Sequence, residues 1–125
     1  MKNSRARSRF YSVLTLGIAL CAMAAISSGR TVATSVNIVN NSSREIRNVY
    51  LSDVNVDNWG ANQLGNSTIA PGQSFALNNI ACNQQQLRVI GEDQDGCFLS
   101  ITITCGESVT WTITNNTPVD CDGGR

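Results

Sequence analysis

The stretch from Cys97 to Asn115 constrains the fold more tightly than any other part of the chain. Leu99, Ile101 and Ile103 alternate with Ser100, Thr102 and Thr104. After Gly106-Glu107-Ser108, Val109, Trp111 and Ile113 alternate with Thr110, Thr112 and Thr114. A period of two puts each apolar set on one face of a strand and each Ser/Thr set on the other. The residues are β-branched or aromatic, which suits a pleated, half-buried surface. A short connector containing Gly joins the two runs, so the stretch predicts a hairpin.

The rest of the chain repeats this grammar in shorter pieces. Ser35–Asn40 reads as a strand, Asn40–Ser43 as a turn cluster and Glu45–Leu51 as a second strand, so the first two strands predict another hairpin. Ser52–Asn66 is a long polar loop. Thr68–Ala70 resumes a strand before Pro71-Gly72, a turn dipeptide in which Pro sets φ and Gly accepts positive φ. Ser74–Leu77 and Leu87–Ile90 complete the set, and Gly91–Gly96 reads as the turn into Cys97. No segment keeps a helical period over about ten residues. The expected fold is all-β, a small antiparallel β-sandwich of about seven short strands.

The first segment stands outside that pattern. Lys2, Arg5, Arg7 and Arg9 precede an apolar run from Phe10 to Ile26 and two small-residue cleavage sites, Ala22-Met-Ala24 and Thr31-Val-Ala33. This is the layout of a secretory signal peptide. The run is shorter than the roughly twenty apolar residues of a membrane span and carries Ser12 and Thr15. A lipidated cysteine follows a small residue, whereas Cys21 follows Leu20. The expected division is a leader over 1–33 and one domain over 34–125, with no membrane span in the mature chain and a secreted or periplasmic location.

Cleavage after Ala33 leaves four basic against nine acidic residues, a net charge of −5 with no Lys. An acidic mature chain argues against nucleic acid and anionic membranes as partners. Roughly ninety residues bury a small core that needs covalent help. Cys82, Cys97, Cys105 and Cys121 supply an even count in an exported chain and read as two disulfides. Their spacing does not suit zinc, and the chain has no His. Four cysteines allow three pairings. A register with Gly91 opposite Gly96 would place Cys82 opposite Cys105 and leave Cys97 for Cys121, without fixing the choice.

Tyr50-Leu-Ser52, Trp59-Gly-Ala-Asn-Gln-Leu-Gly65, Ile69-Ala-Pro-Gly-Gln-Ser74, Leu87-Arg-Val89 and Cys105 follow one another in an order that resembles a family of small exported bacterial proteins. That family has a signal peptide and one β-rich domain with a Trp-Gly-x-x-x-Leu-Gly loop, a Pro-Gly turn and a Cys…Cys pair. The resemblance covers most of residues 36 to 105. Cys82 and Cys105 match its cysteine positions, which supports their pairing, whereas Cys97 and Cys121 fall outside its pattern. The family has no assigned activity, so the likeness implies compartment and fold and transfers no catalytic residue.

Few groups remain for chemistry. With no His, cysteines in disulfides and Lys confined to the leader, only a carboxylate pair could serve a hydrolase. Glu92, Asp93 and Asp95 lie in one turn and Asp53 with Asp57 in another segment, so the same acids could hold calcium or simply make turns. Trp59 and Gly60, with Asp53 and Asp57, form the candidate partner-binding loop. There Trp59 is either a stacking platform for a sugar or protein partner or, with Leu64, a cover for the end of the sandwich. Thr102, Thr104, Thr110, Thr112 and Thr114 would form one flat polar patch, as in ice-binding arrays, if both runs lie in one sheet. Asn40-Asn-Ser42 is one of four glycosylation acceptor patterns that also read as polar turns. Arg44, Arg47 and Arg88 read as solvated charges. The expected function is a non-catalytic accessory or binding protein with a protein or glycan partner and no cofactor. A calcium-dependent module and a carboxylate hydrolase are the alternatives.

Overall fold

The computed structural model describes residues 33–122, so the leader reading falls outside the described residues. Six strands are present: β1 (Thr34–Asn41), β2 (Ile46–Asp53), β3 (Ser74–Ile80), β4 (Gln86–Asp93), β5 (Phe98–Thr104) and β6 (Ser108–Thr114). They form two three-stranded sheets, ordered β3-β1-β6 and β2-β4-β5, and the described residues contain no helix. The all-β sandwich is therefore present with six strands. The expected seventh, at Thr68–Ala70, shrinks to one bridge between Ile69 and Ile46, because the Pro71-Gly72 turn follows at once.

Neither expected hairpin forms. β1 and β2 sit in different sheets. β5 pairs antiparallel with β4, while β6 pairs in parallel with β1, from Ser35 opposite Ser108 to Asn41 opposite Thr114. Alternation determined which side chains face inward and left the pairing partner undetermined. A β5–β6 hairpin would put both apolar sets on one face of one sheet. The crossing at Gly106 (φ 82°) instead sets them on facing sheets, where they cover each other. The Thr patch is lost as a result, since Thr102 and Thr104 lie in one sheet and Thr110, Thr112 and Thr114 in the other.

Between the sheets lie Val36, Ile38, Leu77, Trp111 and Ile113 against Val49, Leu87, Val89, Leu99 and Ile103, all buried. Each such side chain contributes roughly 1.5–3 kcal/mol relative to exposure. Gly91 belongs to this packing and not to a turn. It stands opposite Leu99 in the β4–β5 ladder, and a Cβ there would lie 3.4 Å from Leu99 Cγ. The turn is Gln94–Gly96, where Gly96 has φ 76°. Although the register differs from the one with Gly91 opposite Gly96, the disulfides are Cys82–Cys105 and Cys97–Cys121. They span 23 and 24 residues, and loops of that size correspond to about 3 kcal/mol each in the chain-entropy account.

Two buried polar side chains organise turns of the chain. Asn40 is fully buried at the end of β1. Its Nδ2 donates to Arg44 O (2.7 Å) and Ile69 O (2.9 Å), and its Oδ1 accepts from Ser42 N (3.1 Å) and Ser42 Oγ (2.6 Å). That amide turns the chain from one sheet to the other, and it is wholly engaged rather than open for glycosylation. Asp93 holds a turn within one sheet, the β4–β5 hairpin. Its Oδ1 accepts from Asp95 N (2.9 Å) and Cys97 N (3.0 Å). Its Oδ2 lies 3.1 Å from Arg44 Nη1, a charge pairing whose angle falls short of a hydrogen bond. Arg44, expected as a solvated charge, is thus the counter-ion of a buried carboxylate.

Candidate functional site: a groove on the outer face

β4 carries the sequence signal for this site. Leu87 and Val89 point into the core, so Ile90 is out of phase and faces away. It is nonetheless only 2% exposed. Its register neighbours are Tyr50 on β2 and Ser100 on β5, and one step along the ladder Glu92 stands between Asn48 and Phe98. The outer face of this sheet therefore holds two aromatic rings around an aliphatic side chain. Trp59 lies over it, 5.7 Å from the Tyr50 ring and 5.0 Å from the Phe98 ring in an edge-on arrangement.

The loop that delivers Trp59 is tied at both ends. Buried Ser52 donates its hydroxyl to Val56 O at 2.6 Å. Asp57 accepts from Arg88 Nη2 at 3.1 Å. Gly60 takes φ 64°, which lets the chain reverse directly after Trp59. Beyond it, Gln63 N donates to Val49 O (2.7 Å) and Asn62 Oδ1 accepts from Val49 N (2.9 Å), so the loop pairs with the outer edge of β2. Leu64 is buried in the core, separate from Trp59. Trp59 thus covers the outside of one sheet rather than the end of the sandwich.

A second wall comes from the tail. Asp120 exchanges two backbone hydrogen bonds with Phe98, both 2.7 Å, and Cys121 is bonded to Cys97. Between the walls runs a groove of about 560 Å³ lined by Asp57, Trp59, Arg88, Ile90, Phe98 and Ser100, with Thr117–Asp120 opposite. That volume lies in the range of small-ligand sites. Val56, at 53% exposure, stands on the same loop.

The acids chosen from sequence do not come together. Asp57 is in the groove, whereas Asp53 ends β2, where its carbonyl accepts from Val56 N. Glu92 accepts from Asn48 on the outer face, Asp93 is buried in its turn and Asp95 is exposed. Among the described residues no three His, Cys, Asp or Glu side chains are grouped to hold a metal. Tyr50 has its pKa raised, first by burial and then by the neighbouring Glu92 carboxylate. Sequence reasoning missed Tyr50, Arg88, Ile90, Phe98, Ser100 and the tail. The consecutive Val89-Ile90 pair was the available signal, because a buried outward position requires a cover.

The described residues include no helix long and apolar enough to cross a membrane, and two disulfides suit an oxidising compartment. A scan against protein-family models and a search of curated proteins both return no match. Among solved structures, the chain is similar to a protein from Eubacterium rectale determined by NMR, at 16% identity and a TM-score of 0.48, over 71% of this chain and 85% of that one.

Proposed function

We propose that this protein is an exported, non-catalytic binding module that takes a glycan or protein segment into the groove beside Trp59. One observation carries the reading: both walls of the groove are pinned. The loop wall is held by Ser52 and the Asp57–Arg88 pair, and the tail wall by the Asp120–Phe98 rung and the Cys97–Cys121 bond. A surface held in place before a ligand arrives loses little conformational freedom on binding. Its lining mixes aromatic rings with hydroxyl, carboxylate and guanidinium groups, the composition of a recognition site. A hydrolytic reading finds less support, since Asp57 is paired with Arg88 and Asp93 is engaged in its turn. Export rests on the leader pattern and the disulfides.

The test is an NMR titration of the ¹⁵N-labelled, oxidised protein with cell-envelope glycans and with extended peptides. A ligand should shift the Trp59 indole, Ser100 and Thr117 signals together. Ser100 is exposed, so Ser100→Arg fills the groove without touching the core and should abolish those shifts. Shifts that persist in Ser100→Arg, or no response to either class of compound, would refute the assignment.

A further inference from the structure

The two alternating runs at Cys97–Asn115 become the two edge strands on one side of the sandwich, β5 in one sheet and β6 in the other. Edge strands in natural proteins are blunted by charge, Pro, bulges or coverage. The edges at β2 and β3 follow that rule. β2 is covered at Ile46 and Val49 by Ile69, Asn62 and Gln63. β3 has a register shift in its ladder with β1, and Asn79 takes φ 53°. β5 is occupied by the tail at Phe98 alone, the first residue of the strand, with Ser100, Thr102 and Thr104 beyond it.

β6 has no such device over most of its length. In its parallel ladder Ser35 N donates to Glu107 O, so the odd-numbered residues of β6 turn their backbone groups toward β1. The even-numbered residues turn theirs away. Thr114 confirms the phase, since its N–H donates to Thr117 Oγ1 and its carbonyl accepts from Thr117 N. Ser108, Thr110 and Thr112 are left, and among the described residues no backbone partner meets their outward groups. The strand between Glu107 and Asn115 carries no charge and no Pro.

We infer that this edge pairs with the β6 edge of a second copy of the chain, antiparallel about a two-fold axis at Thr110. The sequence is self-complementary in that register. Thr110 meets Thr110, and Ser108 meets Thr112 in both directions, so every outward-facing residue finds a hydrogen-bonding partner. On the inner face Val109 meets Trp111. Thr–Thr and aromatic–β-branched pairs are among the favourable cross-strand neighbours, and no like charges oppose each other. The half-buried Val109 would be covered. The closed two-fold pairing joins the β3-β1-β6 sheets into one continuous six-stranded sheet and leaves no free β6 edge for further growth.

The test is sedimentation-equilibrium mass measurement on the purified, oxidised protein from about 10 µM to 1 mM, the range in which a weak to moderate dimer dissociates. The expected result is a concentration-dependent dimer. Thr110→Lys places two ammonium groups opposite each other at the axis and should weaken the dimer by about tenfold or more. An equimolar mixture of Thr110→Lys and Thr110→Glu should restore a dimer. Thr102→Lys, at an outward position on β5, should leave dimerisation unchanged. A protein that stays monomeric at the highest concentration overturns the inference. So does a dimer that survives Thr110→Lys, or one that Thr102→Lys disrupts equally. A monomer that instead binds an unrelated extended peptide along β6 also overturns it, assigning the edge to a different occupant.

Discussion

Replacing Asp93 tests whether an acidic residue that looks like a ligand or catalyst is a structural element. Its side chain is fully buried, one oxygen accepts from two backbone amides, and the other faces Arg44 at 3.1 Å. Asp93→Ala frees the amides of Asp95 and Cys97 and leaves the Arg44 guanidinium without its counter-charge. Two hydrogen bonds to a charged acceptor contribute about 1.5–3 kcal/mol each. The Asp95 amide is near solvent and recovers part of its share from water. A net loss of about 3–5 kcal/mol follows, which agrees with the range for breaking buried ion pairs. With a urea slope of roughly 1.5 kcal/mol/M for a domain of this size, the midpoint falls by about 2–3 M. Asp93→Asn keeps an acceptor oxygen for the two amides and loses only the charge, so it should fall between the wild type and Asp93→Ala. Urea unfolding followed by tryptophan fluorescence, repeated with calcium and with EDTA, measures all three. A midpoint shift under about 0.5 M for Asp93→Ala would refute the turn argument. So would wild-type stability that depends on calcium and a mutant effect that vanishes in EDTA, which would make Asp93 a metal ligand.

The other predictions follow the same structure. Asn40→Ala removes the amide that holds Arg44 O, Ile69 O and Ser42, and should cost about 3 kcal/mol in urea unfolding, because buried acceptors are left unpaired. Asn40→Asp should be no better, since a carboxylate cannot donate to the two carbonyls. Trp59→Ala uncovers Ile90 and should lower stability by about 2 kcal/mol, a partial version of a core aromatic truncation. An unchanged urea midpoint would show that Trp59 covers nothing. Tyr50 is the sole tyrosine from residue 34 onward, so in a protein spanning 34–125 ultraviolet absorbance of the phenolate reports it alone. Its pKa is raised in the folded state, so the neutral phenol is the favoured form there. The linked stability is present below the ordinary value near 10 and is lost as pH rises through the raised folded value. Glu92→Gln should lower the titration midpoint part of the way back, because burial, the larger cause, remains. A midpoint unmoved by that substitution would remove Glu92 from the account.

The candidate groove shows where sequence reading works on this chain. Trp59 and Asp57, read from sequence as members of a candidate loop site because an aromatic beside Gly in a polar loop has little local reason to be there, both line the groove. Arg88 and Phe98 were not selected, since each sits in a strand and gains its role only from what folds over the outer face. Asp53, Glu92, Asp93 and Asp95 were grouped by proximity in sequence. A strand turns successive side chains to opposite sides, so Glu92 and Asp93 diverge, and Asp93 enters the interior.

The same physics divides the whole protein. Alternation with period two is a local property, and by itself it determined that Leu99, Ile101, Ile103, Trp111 and Ile113 share an inward face with Ser and Thr turned outward. The positions of Cys82, Cys97, Cys105 and Cys121 determined that two covalent links would hold a small core. Which strand lies beside which was decided only in the tertiary structure. Backbone hydrogen bonds are identical for every sequence, so the pairing of β6 with β1 rather than β5 depends on where two apolar faces can cover each other. Asn40 then holds the crossing from β1 to β2, and Asp93 ties that crossing to the β4–β5 turn through Arg44, contacts between residues that become neighbours only once those faces have met.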